Sequence, residues 1–294
     1  MRRVTVLEVV FLVVFWSWAF SAILFLRNTL LPRWSLAQTP DLLGLTSETV
    51  QFPATDGVQL EGWIIGGEDP TRPWLILCHG LGTNRADLLD IAAGLSREGF
   101  NLLLFDFRAH GNSAGRTTSF GWREQRDLEG ALAFLGSRPE IPATPYGVYG
   151  ISMGAAVALM TAARDERIGA VAAESPYTSL DDSIRHHVRL MYPWLPSVPF
   201  HAFVLSAYRL RFGVWPAHVS PEAAAERLSP RPLLLIHGAG DPRMPLGGIQ
   251  RLYQRAGEPK ELWVIEGAGH LGTYALEPAT YLNRLSRFFR SALR

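Results

Sequence analysis

The sequence is short of cysteine and has almost no excess of charge of either sign. Its 294 residues include one cysteine, Cys78, and 28 Lys and Arg against 27 Asp and Glu, which gives a net charge of +1. A single cysteine excludes an internal disulfide and a metal site built from thiolates. A balanced charge also lacks the basic face with which nucleic-acid-binding proteins attract phosphates. We therefore expect no disulfide framework and no nucleic-acid partner.

Two common catalytic signatures are missing as well. The sequence has no H-E-x-x-H, and the adjacent His186 and His187 would point away from each other on a helix, so a metalloprotease is unsupported. No G-x-G-x-x-G follows the first predicted strand, which argues against nicotinamide chemistry. The sequence therefore predicts neither a metal nor a cofactor.

A long apolar run is present near the start of the chain. From Val9 to Leu26 the only polar residues are Ser17 and Ser21. As a helix, the run would cross roughly 30 Å, the thickness of a bilayer's hydrocarbon core. We expect residues 1–27 to form a single-pass membrane anchor and residues 28–46 a linker to the globular domain, residues 47–294. Removing residues 1–33 should then release a soluble, active domain, because the strands of the sheet all lie beyond them.

A cleaved secretory signal is the alternative interpretation of this run. Ser35-Leu36-Ala37 resembles a cleavage site, but the apolar region of a signal peptide is only about 7–15 residues long. The side of the membrane that holds the domain stays open. Arg2 and Arg3 on one side of the run are balanced by Arg27 and Arg33 on the other, so the arginine bias that sets topology is tied.

Beyond residue 46, apolar runs alternate with helical segments. Runs that are apolar on both faces are typical of buried parallel strands, which need crossover connections, usually helices. The predicted strands are Glu48–Phe52, Val58–Ile65, Trp74–Cys78, Phe100–Phe105, Tyr146–Ile151, Ile168–Ala173, Leu233–Ile236 and Glu261–Ile265. The predicted helices are Arg85–Arg97, Trp122–Leu135, Met153–Arg164, Leu246–Ala256 and Ala275–Leu293. Because Asp56-Gly57 is a hairpin signal, we expect a doubly wound α/β sheet of about eight strands, mostly parallel, with antiparallel first strands.

One stretch, about 177–228, does not fit this alternation. It is rich in aromatic residues and proline, and it is too long for a structureless connection inside a domain. We expect a small helical insertion over one end of the sheet. It is either additional core or a cap over the substrate, and in the second case the aromatics of Tyr192–Trp215 would line an apolar acyl pocket.

The strongest motif is Gly150-Ile151-Ser152-Met153-Gly154, a G-x-S-x-G between a predicted strand and a predicted helix. A serine on that tight turn has its hydroxyl exposed above the sheet, and the flanking glycines leave room for neighbouring backbone. Serine needs a base to become a nucleophile, and the base needs an orienting acid. We therefore predict Ser152 as the nucleophile.

The base and acid are expected later in the chain, on loops that follow strands. His270 follows the last predicted strand and Asp241 follows the strand before it, in the order Ser, acid, His. Glu174, at the end of another strand, is the alternative acid. The two donors of an oxyanion hole are predicted to be the backbone N–H groups of Met153 and Leu81.

Four further polar residues follow the third and fourth strands and are predicted to brace loops rather than to react: His79, Asp106, Arg108 and His110. Together with the serine motif, their segments match the H-G-x-G, D-x-R-G-H-G-x-S, H-G-x-x-D-x-x-x-P and G-x-H patterns of the α/β-hydrolase superfamily. From about Glu48 onward the chain resembles that superfamily, and within it the membrane-anchored Bem46/ABHD13-like group and its bacterial relatives. Ala109 departs from the pattern, since the family has glycine there.

The resemblance implies an α/β-hydrolase fold with a Ser152–Asp241–His270 triad that acts on a small-molecule or lipid-like acyl ester or thioester. It does not identify the substrate, because the fold supports many reactions. Two alternatives stay open. One is an amidase, peptidase or acyltransferase that uses the same triad, and the other is a non-catalytic binding module.

Overall fold

The computed structural model describes residues 5–142, 144–194 and 197–293. Arg2 and Arg3, two of the four arginines that flank the apolar run, lie outside the described residues, as do Leu195 and Pro196 of the predicted insertion. Within these ranges eight strands form one sheet in the order β1-β2-β4-β3-β5-β6-β7-β8. They are β1 (Ser47–Pro53), β2 (Gln59–Ile65), β3 (Trp74–Cys78), β4 (Asn101–Phe105), β5 (Tyr146–Ile151), β6 (Ile168–Glu174), β7 (Leu233–Gly238) and β8 (Lys260–Ile265).

The strand directions follow the predicted arrangement. Strand β2 pairs antiparallel with both β1 and β4, and every other neighbouring pair is parallel. Strands β3, β4 and β5 are buried along their whole length, which is why their sequences are continuous apolar runs instead of alternating ones. The expectation of a mostly parallel, eight-stranded α/β sheet is confirmed.

Helices cover both faces of the sheet. The helices of the described ranges are α1 (Val6–Thr29), α2 (Leu89–Arg97), α3 (Glu124–Ser137), α4 (Met153–Ala162), α5 (Leu180–Met191), α6 (Ser197–Phe212), α7 (Pro221–Ala225), α8 (Leu246–Arg255), α9 (Thr273–Leu276) and α10 (Pro278–Ala292). Helices α3, α4 and α8 bury their apolar sides against one face. Helices α2 and α10 cover the other. The carboxyl ends of the parallel strands are left for the loops that carry the candidate site.

Two predicted helices are each divided into two segments in the structure, whereas the bounds of the other three agree to within two residues. The segment predicted as Arg85–Arg97 begins with a 3₁₀ turn, Arg85–Leu88, before α2. The segment predicted as Ala275–Leu293 is divided into α9 and α10 at Glu277. Pro278 is the first residue of α10, where a proline fits because the first N–H groups of a helix have no partner within it.

The insertion is helical. It contains α5, α6, a 3₁₀ turn at Pro216–His218, and α7. The side chains of Tyr208 and Phe212 are buried, and their rings contact the ring of Phe25 in α1 at centroid distances of 5.8 and 6.2 Å. For these two aromatic residues the expectation of an acyl-pocket lining is wrong, because they pack against the N-terminal helix.

Helix α1 is the one helix in the described ranges that is long and apolar enough to cross a membrane. Its first half is exposed, with Val6 at 80% and Phe11 at 67% of full exposure. Its second half is not free. Ser21, Ala22, Phe25 and Thr29 are buried, and the last of these accepts a hydrogen bond from the N–H of Thr118 at 3.0 Å.

The sequence predicts an anchor joined to the domain by a linker, but in the structure one side of the second half of α1 packs directly on the insertion. The sequence shows that the run is apolar throughout. It does not show that, in the second half of the helix, one side packs against aromatic residues of the insertion. The following segment also contacts the domain. The Arg33 guanidinium donates to the carbonyl oxygen of Gly111 at 3.1 Å, and the Asn84 amide donates to the carbonyls of Trp34 and Ser35 at 3.2 and 3.3 Å.

Candidate active site

Ser152 lies on the turn between β5 and α4. Its backbone has φ 51° and ψ −114°, in the left-handed half of the map that a residue with a side chain adopts only under strain. The two glycines of the motif allow this turn. A Cβ on Gly154 would lie 2.2 Å from the carbonyl oxygen of Cys78, and one on Gly150 would lie 2.5 Å from the backbone of Gly154. A larger residue at position 154 would push the turn away from β3, and one at position 150 would push it away from the start of α4.

The structure brings Ser152, His270 and Asp241 together. The Nε2 atom of His270 lies 3.2 Å from the Oγ atom of Ser152, and its Nδ1 atom lies 2.7 Å from Oδ2 of Asp241. These residues come from the loops after β5, β8 and β7, which end at the same edge of the sheet. All three side chains are largely buried, and the hydroxyl belongs to a residue that is 8% exposed.

The carboxylate of Asp241 is fixed by its own loop. Its Oδ1 atom accepts the backbone N–H groups of Arg243 and Met244 at 2.8 and 2.9 Å, which leaves Oδ2 for His270. Burial acts to raise the pKa of Asp241, but the hydrogen bonds from His270 and from the two amides outweigh it and hold the pKa below its usual value. An ionised Asp241 orients the ring with Nδ1–H toward the carboxylate and leaves the Nε2 lone pair for the serine hydroxyl.

Glu174, the alternative acid, has other partners. Its Oε2 atom accepts the hydroxyls of Tyr149 and Tyr281 at 2.8 and 2.7 Å, and its Oε1 atom accepts the hydroxyl of Thr273. Because Thr273 lies three residues beyond His270, the Glu174 carboxylate anchors the loop that carries the histidine. The three hydroxyl partners were not predicted from the sequence, since each comes from a different part of the chain.

The two predicted oxyanion donors lie beside the turn that carries Ser152. A Cβ on Gly80 would be 3.6 Å from the Cβ of Ser152, so the loop that carries Leu81 passes beside the serine. Within the described ranges, the backbone N–H groups of Leu81 and Met153 donate to no protein acceptor. Both are therefore available to a ligand, and the N–H of Met153 also belongs to the positive end of α4.

The four residues predicted to brace loops are buried and hydrogen-bonded. His79 accepts the N–H of Phe107 at 3.0 Å, and His110 accepts the N–H of Gly82 at 3.1 Å. Burial lowers the pKa of both histidines, and for His79 far below its usual value, so both rings are neutral. The His110 contact holds the loop that carries Leu81 next to the loop that follows β4.

The two charged members of this group form buried ion pairs. Asp106 pairs with Arg85, and Arg108 pairs with Asp127 at 2.6 Å and Asp56 at 2.7 Å. Arg85 was not predicted; its guanidinium also lies 4.3 Å over the ring of Trp63. Ala109, where the resembling family has glycine, has φ 64°, so this loop keeps the left-handed conformation that glycine favours.

A cleft of about 130 Å³ lies next to the loop that carries Asp241. Its lining includes Arg243 and Met244, whose amides hold Asp241, and it continues along α5 and α8. The ring of His186 on α5 lies 2.7 Å from the carbonyl oxygen of Pro242 and connects the insertion to the loop that carries Asp241. Among the described residues of Tyr192–Trp215, none lines this cleft.

Known proteins are similar to this chain over most of its length. A family model described as "Alpha/beta hydrolase family" matches residues 75–283. The uncharacterized protein YqkD of Bacillus subtilis is 31% identical over 241 residues, which are 81% of this chain and 77% of YqkD. The uncharacterized protein YfhR of Escherichia coli K12 is 28% identical over 253 residues, 84% of this chain and 82% of YfhR.

Among solved structures, the esterase Pf2001 of Pyrococcus furiosus superposes with a TM-score of 0.74 at 28% sequence identity. The match covers 90% of this chain and 100% of the esterase. The finer resemblance to the Bem46-like group is not tested by these matches and stays a prediction.

Proposed function

The chain belongs to the alpha/beta hydrolase family, and from that premise we propose that it is a membrane-anchored serine hydrolase that cleaves carboxylic esters or thioesters. One observation carries the proposal. A ring nitrogen of His270 is within hydrogen-bond distance of the Ser152 hydroxyl, at 3.2 Å, while its other nitrogen contacts Asp241 at 2.7 Å. The likeness to an esterase from Pyrococcus furiosus supports an ester substrate.

The first half-reaction follows from these contacts. The Nε2 atom of His270 takes the proton of the Ser152 hydroxyl while its oxygen attacks the carbonyl carbon of the ester. The resulting oxyanion accepts the N–H groups of Leu81 and Met153, donors that are oriented in advance and that strengthen as charge develops. The protonated ring then gives its proton to the departing alcohol or thiol, which leaves an acyl group on the Ser152 oxygen.

The second half-reaction repeats these roles with water. His270 deprotonates a water molecule as it attacks the acyl-enzyme, and the same two amides stabilise the new oxyanion. Collapse of this intermediate returns the proton to Ser152 and releases the carboxylic acid. Throughout the cycle Asp241 stays ionised, because its three hydrogen bonds hold its pKa below the usual value, and it stabilises the imidazolium form of His270.

The test is turnover of a series of p-nitrophenyl esters and thioesters by the detergent-solubilised full chain. Replacing Ser152 by alanine should lower kcat by about 10⁴–10⁶-fold, as for a nucleophile that acts as part of a triad. Ser291→Ala is the matched control, since that hydroxyl bonds only a carbonyl of α10, and it should keep wild-type kcat. Wild-type turnover by Ser152→Ala would overturn the proposal, and activity only on amides or only with an alcohol acceptor would change the substrate class.

Membrane anchoring by α1 is the second part of the proposal. The helix has the length and apolarity of a membrane span. Its burial of Phe25 and Ala22 against the insertion supports retention over cleavage, since removal would uncover the rings of Tyr208 and Phe212. The side of the membrane is left open by the balanced arginines.

A further inference from the structure

Helix α1 has two halves with different surroundings. In the outer half, Val6–Trp16, the side chains are exposed. In the inner half, Ser17–Thr29, one side packs on the insertion. The outer half has eleven residues, which extend about 16 Å as a helix, roughly half of the 30 Å hydrocarbon core. If only the outer half entered the bilayer, its first residues would end near the middle of the membrane.

Charges at both ends of α1 exclude that shallow position. Glu8 lies in the first turn, where it closes a capping box with Thr5, and Arg2 and Arg3 precede it in the sequence. An ionised group at the bilayer centre is costly and rare, so this end belongs at one interface. The apolar stretch then reaches the other interface at about Leu26, next to Arg27. A helix that spans in this way has Ser17–Leu26 inside the lipid.

The inner half does not enter the lipid alone, because α6 lies alongside it. The ring of Phe20 contacts that of Phe200 at 6.4 Å, and the indole N–H of Trp18 donates to the hydroxyl of Ser206 at 2.8 Å. Trp18 lies eight residues before Leu26, about 12 Å deeper along the helix. The first turns of α6 must therefore lie at the same depth as Trp18 and Phe20.

The surface of the insertion matches this depth. Where α5 ends and α6 begins, four large apolar side chains are exposed: Leu190 at 49%, Met191 at 58%, Trp194 at 72% and Val198 at 78%. We refer to these four residues as the cap tip. An apolar cluster of this kind on a protein surface marks an interaction site. Arg189 is one residue away, and its long side chain can extend toward the interface while its methylenes stay in lipid.

Basic residues occur further along the same helices. Arg209 and Arg211 are exposed on the last turn of α6, which ends at Phe212, and the ring of Phe212 contacts that of Phe25. Arg27 is exposed at the matching end of α1. Along α1 and α6, the exposed apolar residues are therefore followed by arginines. The hydrocarbon and the phosphate groups of a bilayer follow each other in the same order.

We propose that the cap tip is embedded in the hydrocarbon of the near leaflet, with Arg27, Arg209 and Arg211 at the lipid phosphates, so that α1 and the insertion enter a phospholipid bilayer as one unit. This inference rests on the proposed membrane anchoring. In place of a domain that is connected to the membrane only by a linker, it predicts a domain whose insertion itself contacts the membrane. It also deepens the proposed function, because a cap within the leaflet favours esters that are themselves dissolved in lipid.

The test is site-specific labelling of the full chain. Cys78 is fully buried, so a cysteine introduced at an exposed position is the one that reacts with an environment-sensitive fluorophore, and the unsubstituted protein supplies the labelling background. Three variants are compared in vesicles of phosphatidylcholine and phosphatidylglycerol. Val198→Cys reports the cap tip, Phe11→Cys reports the outer half of α1, and Leu42→Cys is the control. Leu42 is equally apolar and 71% exposed, but it lies on the 3₁₀ turn of the linker segment.

The expected result is that the labels at positions 198 and 11 are quenched by doxyl-labelled lipid and are several-fold less quenched by aqueous iodide than the label at 42. A label at 198 that behaves like that at 42, while 11 stays in lipid, overturns this inference and leaves the anchor intact. Iodide quenching at both 11 and 198 overturns the anchor as well. If Val198→Cys does not fold, Met191→Cys takes its place, with the same two outcomes.

Discussion

Asp241 uses one carboxylate oxygen for its own loop and the other for His270. The two amides on Oδ1 belong to the residues that follow it, so the acid is oriented by a turn rather than by a distant partner. Glu174 has the opposite arrangement, since three hydroxyl groups from separate elements meet at its carboxylate. The two acids therefore have different proposed roles: the first orients the base, and the second anchors the loop on which the base lies.

Replacing each acid by its amide tests this division. Asp241→Asn should lower kcat by about 10⁴-fold, because the amide favours the wrong tautomer of His270, as in a serine protease triad. Glu174→Gln keeps the shape and should lower kcat far less, but it should reduce the thermal midpoint, since an amide NH₂ replaces one of the two oxygens that accept the buried hydroxyls. Steady-state kinetics and thermal unfolding of both variants provide the check. If Glu174→Gln lost activity while Asp241→Asn kept it, Glu174 would be the acid that orients His270 and Asp241 would not.

The residues brought together at the site were largely predictable from sequence. Ser152, Asp241 and His270 each follow a continuous apolar strand, and parallel strands end at one edge of a sheet. The partners of Glu174 were not predictable, because Tyr149 lies in β5, before Ser152, and Tyr281 lies in α10. Contacts of this kind depend on how separate helices and strands pack, and no local pattern encodes them.

At the scale of elements, the strands and the N-terminal helix were predicted closely, but the packing of that helix on the insertion was not. Strands β3 and β5 have the predicted bounds, since burial on both faces makes their sequences continuous apolar runs between turn residues. In α1, apolarity shows that the helix avoids water but does not distinguish lipid from protein as the surroundings. The contact of Phe25 with Tyr208 and Phe212 becomes visible only in three dimensions.

Two truncations separate the halves of α1. Removing residues 1–16 deletes only the exposed half, and the remaining chain should stay folded and active. Removing residues 1–33 deletes Phe25 as well, and loss of one buried phenylalanine side chain alone destabilises a protein by about 3–5 kcal/mol. The longer deletion should therefore aggregate or unfold at a lower temperature, which size-exclusion chromatography and thermal unfolding would detect.

The single substitution Phe25→Ala is the control for this comparison, with Phe11→Ala as its exposed counterpart. Phe25→Ala should reproduce much of the loss of stability of the longer deletion, whereas Phe11→Ala should not. Full stability and activity of the chain that begins at residue 34 would show that the packing of α1 on the insertion contributes nothing to the fold.

At the scale of the whole molecule, three buried histidines make stability depend on pH. Burial lowers the pKa of His79, His110 and His237. The unfolded chain therefore binds protons near the ordinary histidine pKa of about 6.5, where the folded chain does not, and the free energy of unfolding falls as pH drops below that value. Each histidine contributes at most about 1.4 kcal/mol per pH unit.

The thermal midpoint should accordingly decrease between pH 7.5 and pH 5.5. His237→Gln should flatten this dependence, because it removes one buried group that takes up a proton on unfolding. His218→Gln, at an exposed position, should leave it unchanged. A pH dependence of the midpoint that is the same in His237→Gln as in the unsubstituted protein would contradict a neutral, buried His237 in the folded protein.

The central claim, that Ser152 is an activated nucleophile, is tested most directly by labelling with a fluorophosphonate and locating the adduct by mass spectrometry. The thiol of Cys78 is no competitor, because burial raises its pKa and keeps it protonated. We predict one phosphonyl group per chain, on the peptide that contains Ser152, with esterase activity lost in proportion to labelling and no adduct on Ser152→Ala. Full activity after stoichiometric labelling, or inactivation with the adduct on another residue, would contradict it.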